Sequence, residues 1–140
     1  MNDPGLGGHG PVRFRAGRFL RSRAEAVGKR IGEHHMIREM IADMTTCIET
    51  ARPLTYRALS LLQQGKRCER EAAIAKYYVT EMTVKVTSKA IQIHEANGLS
   101  EEYPMKRIFR DARMFTIPDG TTQIHKLIMA RDILGLSAFR

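Results

Sequence analysis

Residues Gln92 to Arg131 run QIHEANGLSEEYPMKRIFRDARMFTIPDGTTQIHKLIMAR. Breaker signals divide this stretch at Asn97-Gly98, Tyr103-Pro104 and Pro118-Asp119-Gly120, and apolar residues at helical spacing fill the intervals. Proline suits a first helical position, which predicts a helix from about Pro104 to Met114 with Ile108, Phe109 and Ala112 on its buried side. A second helix is predicted from about Thr121 to Leu134, with Ile124, Leu127, Ile128 and Ile133 inward and Gly135 as its stop. Asn97-Gly98 carries the composition of a left-handed cap. Asp119 stands directly before Thr121 and Thr122, which can cap the helix that follows. A carboxylate at a helix entrance can serve capping, and beside a buried substrate it can serve as a general base.

Upstream, a helix is predicted from about Glu69 to Asn97. It is apolar on two faces, one with Ala72, Ala75, Val79, Met82, Val86, Ala90 and Ile93, the other with Ile74, Tyr77, Tyr78, Val84 and Ile91. Such a helix is central to a bundle or shared between its own core and a subunit interface. Before it, steps of three and four from Ile37 to Leu62 predict a long helix from about His34 to Gln64. Pro53 interrupts this helix at a cost of roughly 3 kcal/mol, and the seam resumes in phase, so a kink is expected there. Gly65 ends it. A weaker pattern over Val12 to Val27, with Phe14, Phe19 and Leu20 as apolar points, predicts a further helix. Residues 1–11, with four glycines and two prolines, are expected to be a disordered lead, and 136–140 a tail. No strand pattern and no repeat is present. The fold class is all-α: an antiparallel bundle of four to five helices over residues 12–135.

The C-terminal stretch resembles the signature of the acyl-CoA dehydrogenases, flavoenzymes that desaturate acyl-CoA thioesters at the α,β bond. The residues that carry the likeness are Gln92, Gly98, Tyr103-Pro104, Arg110-Asp111-Ala112-Arg113, Gly120-Thr121, Ile124 and Ala130-Arg131. Further upstream, Gly28-Lys29-Arg30-Ile31-Gly32-Glu33-His34 is similar to a Gly-Lys-Pro-Ile-Gly-Glu-His segment of the family. Ala42-Asp43-Met44, Ala51-Arg52 and Ala72 to Lys76 extend the resemblance, which covers about Gly28 to Gly135. The resemblance implies the family's C-terminal helical domain alone. The N-terminal helical domain and the middle β-domain are expected to be absent, with a homo-oligomer (dimer or tetramer) or a partner chain supplying what is missing.

What the resemblance implies about chemistry falls on a few positions. Asp119 aligns with the place where many members carry the catalytic glutamate, which takes the α-proton while the β-hydride goes to the flavin. That task needs a desolvated carboxylate near the thioester α-carbon, and a loss of about 1 Å in reach can cost on the order of 10²-fold in rate. Thr121 aligns with a flavin contact and Gln92 with a glutamine that reaches the flavin of a neighbouring subunit. Gln123, Gly98 and Arg23 complete the expected FAD-binding set. Arg23 lies next to Ala24, the position of a family arginine that meets the flavin diphosphate. Glu95 and Ala96 stand where the family has Gly-Gly, which lets backbone approach that diphosphate. A carboxylate there is repulsive. The expected function is therefore the C-terminal bundle of an FAD-dependent acyl-CoA dehydrogenase, incomplete on its own. The alternative is a flavin-free helical oligomerisation or interaction module derived from that family.

Composition bounds the rest. A 140-residue chain with 43% hydrophobic residues supports one domain with a core. No apolar run approaches the roughly 18 residues of a membrane span, and no secretory signal is evident. Cys47 and Cys68 form no framework, so a reduced, cytoplasmic setting is expected, or the mitochondrial matrix in a eukaryote. Seven Lys or Arg against two acids in residues 1–30 carry +5 of the net charge of +8. A nucleic-acid partner is not expected, because that arm lacks aromatic interleaving and helix-turn-helix spacing. His34, His35, His94 and His125 show no metal-ligand spacing and are expected on the surface or within the bundle. Local ion pairing and packing are expected to account for Arg110-Asp111, Arg113 and Arg131.

Overall fold

The structure is a computed structural model that describes residues 25–26 and 28–136. The expected lead, nearly all of the Val12–Val27 helix, Arg23 and residues 137–140 lie outside the described residues. The elements in order are β1 (Glu25–Ala26), β2 (Lys29–Arg30), a 3₁₀ turn (Ile31–Glu33), α1 (His35–Gln63), α2 (Glu69–His94), α3 (Ala96–Leu99), α4 (Met105–Met114) and α5 (Thr122–Leu134). They fall into two units, divided inside α1 between Arg38 and Glu39.

The first unit holds a short hairpin that the sequence pattern did not predict. Glu25 pairs with Arg30 and Ala26 with Lys29, antiparallel, across a turn in which Gly28 takes φ 73. Two residues per strand are too few for alternation to be legible, so the turn glycine is what makes the ladder. The start of α1 is fixed here by Arg38, whose Nε donates to the Gly32 carbonyl at 3.0 Å.

The second unit is an all-α bundle. Pro53 sits inside α1, and the helix runs on unbroken past it. Gly65 closes the helix at φ 66, with its amide donating to Leu62 and that of Lys66 to Leu61, both at 3.0 Å. The chain then reverses, and α1 and α2 pair antiparallel through polar side chains. Asp43 meets Lys89, the hydroxyls of Thr50 and Tyr78 lie 3.1 Å apart, and Arg57 reaches Glu71 at 3.8 Å.

α2 is the centre of the bundle, as its two apolar faces require. It buries Ala73, Ala75, Val86, Thr87, Ala90, Ile93 and His94, and packs against α3, α4 and α5. It ends at His94, three residues earlier than expected, because Glu95 adopts φ 51, ψ −134 and breaks the helix. Gly98 is not a left-handed cap. It lies buried inside the one-turn α3, where a Cβ would stand 2.6 Å from the Ile91 carbonyl oxygen. The requirement for glycine here comes from close approach rather than from backbone sign.

The inward set expected for α5 is also corrected. Ile124 is 37% exposed, Leu127 38% and Ile133 70%, and only Ile128 of the four is half-buried. The face toward α2 carries Thr122, His125, Ile128 and Arg131 instead. Apolar residues go all round α5, so their spacing alone does not select a face. On α4, Ala112 is buried and Phe109 half-buried, while Ile108 is 40% exposed.

An ion network joins the first turn of α2 to the last turn of α5. Arg70 bonds Glu71 at 2.9 Å and Asp132 at 3.1 Å, and Arg131 bonds Glu69 at 3.1 Å. Arg131 thus has the ion-pairing role expected of it. The hydrogen bond from Arg70 to Glu71 holds that carboxyl below its ordinary value of 4.5. A depressed carboxylate contributes stability above its unfolded pKa and loses it as pH falls through the folded one. Glu71→Gln is therefore expected to flatten the loss of stability below about pH 4.5 while leaving it little altered in shape near neutrality, as thermal melts across pH 2.5–7 would report.

Candidate functional site

The site is built by the segment that joins α4 to α5. The Thr116 and Ile117 amides donate to Arg113 and Met114, which carries the end of α4 one residue further as a tight turn. The chain then takes two left-handed steps, Asp119 at φ 56 and Gly120 at φ 95. Aspartate tolerates that region better than most residues, because its short polar side chain can satisfy backbone locally. The Thr122 amide returns to the Thr116 carbonyl at 3.3 Å and closes the loop.

Thr121 occupies the N-cap position of α5, and its carbonyl accepts from His125 at 3.1 Å. Its hydroxyl makes no side-chain cap, contrary to the expected capping role. The backbone conformation, φ −65 and ψ 164, supplies the helix entrance without it. Thr122 does not cap either: its hydroxyl donates to Glu81 Oε1 on α2 at 2.6 Å.

Between these elements lies an open cleft of about 380 Å³, with Glu81, Arg113, Thr116, Thr121, Thr122 and Gln123 among its lining residues. Thr116 is buried, its hydroxyl donating to the Arg113 carbonyl at 2.9 Å and also meeting the Arg113 guanidinium. Arg113 therefore hydrogen-bonds a threonine where an ion pair was expected. The cleft offers a cation, an uncommitted threonine hydroxyl and the exposed amide of Gln123, a donor set suited to a polar or anionic group.

The structure brings two of the expected site residues, Thr121 and Gln123, into this cleft. Asp119 is exposed in the turn beside it and is not among the lining residues. Gln92 and Gly98 lie at the other end of α2. Eleven residues separate Glu81 from Gln92, about 16 Å of helix, so one chain presents two groups too far apart to share one small ligand head.

At that second end Gln92 and Glu95 are exposed and Ala96 follows Glu95. Beneath them His94 is buried, its Nδ1 donating to the Ala90 carbonyl at 2.8 Å, and its ring meets that of Tyr103 edge-on at 6.3 Å. Glu95 holds a φ, ψ combination that only glycine adopts without strain, and such a residue costs of order 1–3 kcal/mol. Glu95→Gly is expected to stabilise the chain by about 1 kcal/mol, raising the melting temperature by roughly 3 °C, because the removed strain outweighs the greater freedom of an unfolded glycine. A lower melting temperature would show the turn to be held by the glutamate side chain instead.

Two residues escaped the sequence. Glu81 and Lys76 belong to the packed sides of α2, and a charged residue half-buried among Tyr77, Val79 and Val84 was the available signal. His125 was expected on the surface or in the bundle. Its ring nitrogens are both buried without a hydrogen-bond partner, and Nε2 would lie 3.4 Å from a Cβ at Gly120. No cluster of His, Cys, Asp or Glu suited to a metal occurs among the described residues. No helix among them is long and apolar enough to cross a membrane.

Residues 15–134 match the family described as acyl-CoA dehydrogenase, C-terminal domain. Cyclohexane-1-carbonyl-CoA dehydrogenase of Geobacter metallireducens is 42% identical over 111 residues, which span 79% of this chain and 29% of that relative. The structure of butyryl-CoA dehydrogenase from Megasphaera elsdenii has a TM-score of 0.81 at 34% identity, covering 84% of this chain and 30% of that one. The FAD complex of PigA has a TM-score of 0.79 at 27% identity, covering 85% and 31%. The chain spans less than a third of the length of each of these proteins.

Proposed function

The chain belongs to the acyl-CoA dehydrogenase family as its C-terminal domain, and from that premise we propose that it forms the helical part of an FAD site in α,β-desaturation of acyl-CoA thioesters. The family's other domains complete that site, on a partner chain or within an oligomer. The observation that carries this proposal is the cleft at the entrance of α5. Thr121, left out of capping, lines it beside Gln123 and Arg113. Those donors fit the polar edges of a flavin. The other end of α2 fits less well, since the Glu95 carboxylate stands where a diphosphate would need a bare backbone.

When bound, FAD supplies the acceptor of the hydride that leaves the β-carbon. The chain's own part is to bind and to hold a base. Thr121 and Gln123 bind through hydroxyl and amide, Arg113 offsets anionic charge, and Gln92 serves a second flavin from the far end of α2. Asp119 takes the α-proton, from the turn that joins α4 to α5. Titration of the chain with FAD, followed by flavin fluorescence, tests the binding. Saturable uptake weakened about tenfold by Thr121→Val is expected, the scale of one hydrogen bond to a buried polar edge. Asp119→Asn should leave uptake unchanged. With the remaining domains supplied, it should lower turnover about 10²-fold or more. Turnover unaffected by Asp119→Asn would place the base elsewhere.

A second reading, a flavin-free interaction module, draws on the Glu95 carboxylate and on apolar surface. Phe115 is 53% and Ile117 57% exposed. Under that reading the chain is colourless, takes up no FAD and self-associates, which sedimentation would report.

A further inference from the structure

The segment from Phe115 to Thr122 carries Asp119 and Thr121 yet makes few bonds of its own. Its inner part holds two left-handed residues in succession, closed by one 3.3 Å backbone bond, and α5 begins without a side-chain cap. α2 grips it at both ends. Lys76 Nζ donates to the Phe115 carbonyl at 2.9 Å, and Glu81 accepts the Thr122 hydroxyl at 2.6 Å. Among the described residues, no other recorded side-chain hydrogen bond joins residues 117–122 to another element.

We propose that Glu81 is the positioning residue of this turn: by fixing Thr122 to α2 it sets the register in which Thr121 and Gln123 face the cleft and in which Asp119 is presented. The physical case rests on three features. The hydroxyl-to-carboxylate bond is charge-assisted and short, and so stronger and more directional than a neutral one. Thr122 is 7% exposed, so water cannot readily replace the lost acceptor. Glu81 also has an alternative it does not take. Arg113 lines the same cleft, but its guanidinium bonds Thr116, and Glu81 is spent on the loop. Positions 121 and 123 flank the anchored residue along α5, so a rotation of the helix entrance by one step of about 100° would carry one of them to the bearing of Thr122 and turn the other from the cleft. The consequence for cofactor binding rests on the flavin reading above, whereas the anchoring itself does not.

Amide hydrogen exchange on the full chain, followed residue by residue, tests it. Glu81→Ala is expected to speed exchange of the Thr122 amide, and of the His125 amide bonded to Thr121, by about tenfold or more, with those of Val86 to Ile93 unchanged. Glu81→Gln keeps an acceptor oxygen at the same reach and should stay within about threefold of the parent. Where Glu81→Ala fails to fold, the isosteric Thr122→Val removes the donor instead and should give the same local pattern. Exchange that stays within about twofold of the parent at Thr122 and His125, or rises equally across α2, would overturn the proposal. FAD affinity gives the second arm, with loss in Glu81→Ala and Thr122→Val and recovery in Glu81→Gln. If the parent chain takes up no FAD, the flavin reading fails, and the exchange pattern still decides the positioning role.

Discussion

Gly98→Ala is expected to lower stability by about 2 kcal/mol, although helix propensity alone favours alanine by about 1 kcal/mol. The sign is what makes the variant informative. Gly98 lies inside α3 with ordinary helical backbone, so no left-handed conformation is at stake. What opposes the methyl group is the α2 backbone: the Ile91 carbonyl oxygen would stand 2.6 Å away and Ile91 Cα 3.0 Å. Neither is the end of a flexible side chain, so α3 must lift from α2, and overpacking of this kind typically costs 1–3 kcal/mol. Thermal melts of the purified variant measure it. A stabilised variant would mean that α3 moves away freely and that the contact is loose. The same result bears on function, because a glycine kept for packing explains Gly98 without any cofactor.

Ile93→Ala is expected to have the largest effect on the fold, about 3–4 kcal/mol. Ile93 is 1% exposed and is the largest fully buried side chain among the described residues. Four of the seven buried apolar residues among the described residues are alanines, Ala73, Ala75, Ala90 and Ala112, and alanine cannot change rotamer to fill a space. The cavity term therefore stays near its full value. A domain of this size holds on the order of 5–15 kcal/mol in all, so the loss is a large share of it. Urea unfolding should show a lower midpoint with an unchanged slope. A loss under about 1 kcal/mol would show that α3 and α4 collapse into the gap.

The long helices were legible because periodicity speaks directly about which residues share a face. α1 and α2 begin and end within a few residues of the pattern's own limits, and Gly65 and Gly135 mark ends the sequence named. What was not legible depends on which face meets a neighbour. α5 is apolar all round, so spacing could not choose between Ile124 and Ile128. Gly98 carried a cap's composition, but the decisive fact was the approach of Ile91 from seven residues earlier on another helix. The site divided in the same way. Thr121 and Gln123 were named through resemblance, and they line one cleft. Glu81 went unnoticed because its partner is forty-one residues away in sequence, a distance that local pattern does not reach.

α1 meets α2 largely through polar side chains, and Met44 is its one fully buried residue, against seven from α2. Cohesion in the bundle is accordingly uneven. The pairing of α1 with α2 relies on bonds that water can replace, whereas α2 adds the burial of its own apolar face to the ion pairs that tie it to α5. Opening of the molecule follows that gradient. α1 is accordingly expected to open at a fraction of the global free energy, so that its amides exchange faster than those of α2. Every residue that lines the cleft belongs to α2, α4, α5 or the turn between the last two, so the cleft is expected to outlast the loss of α1.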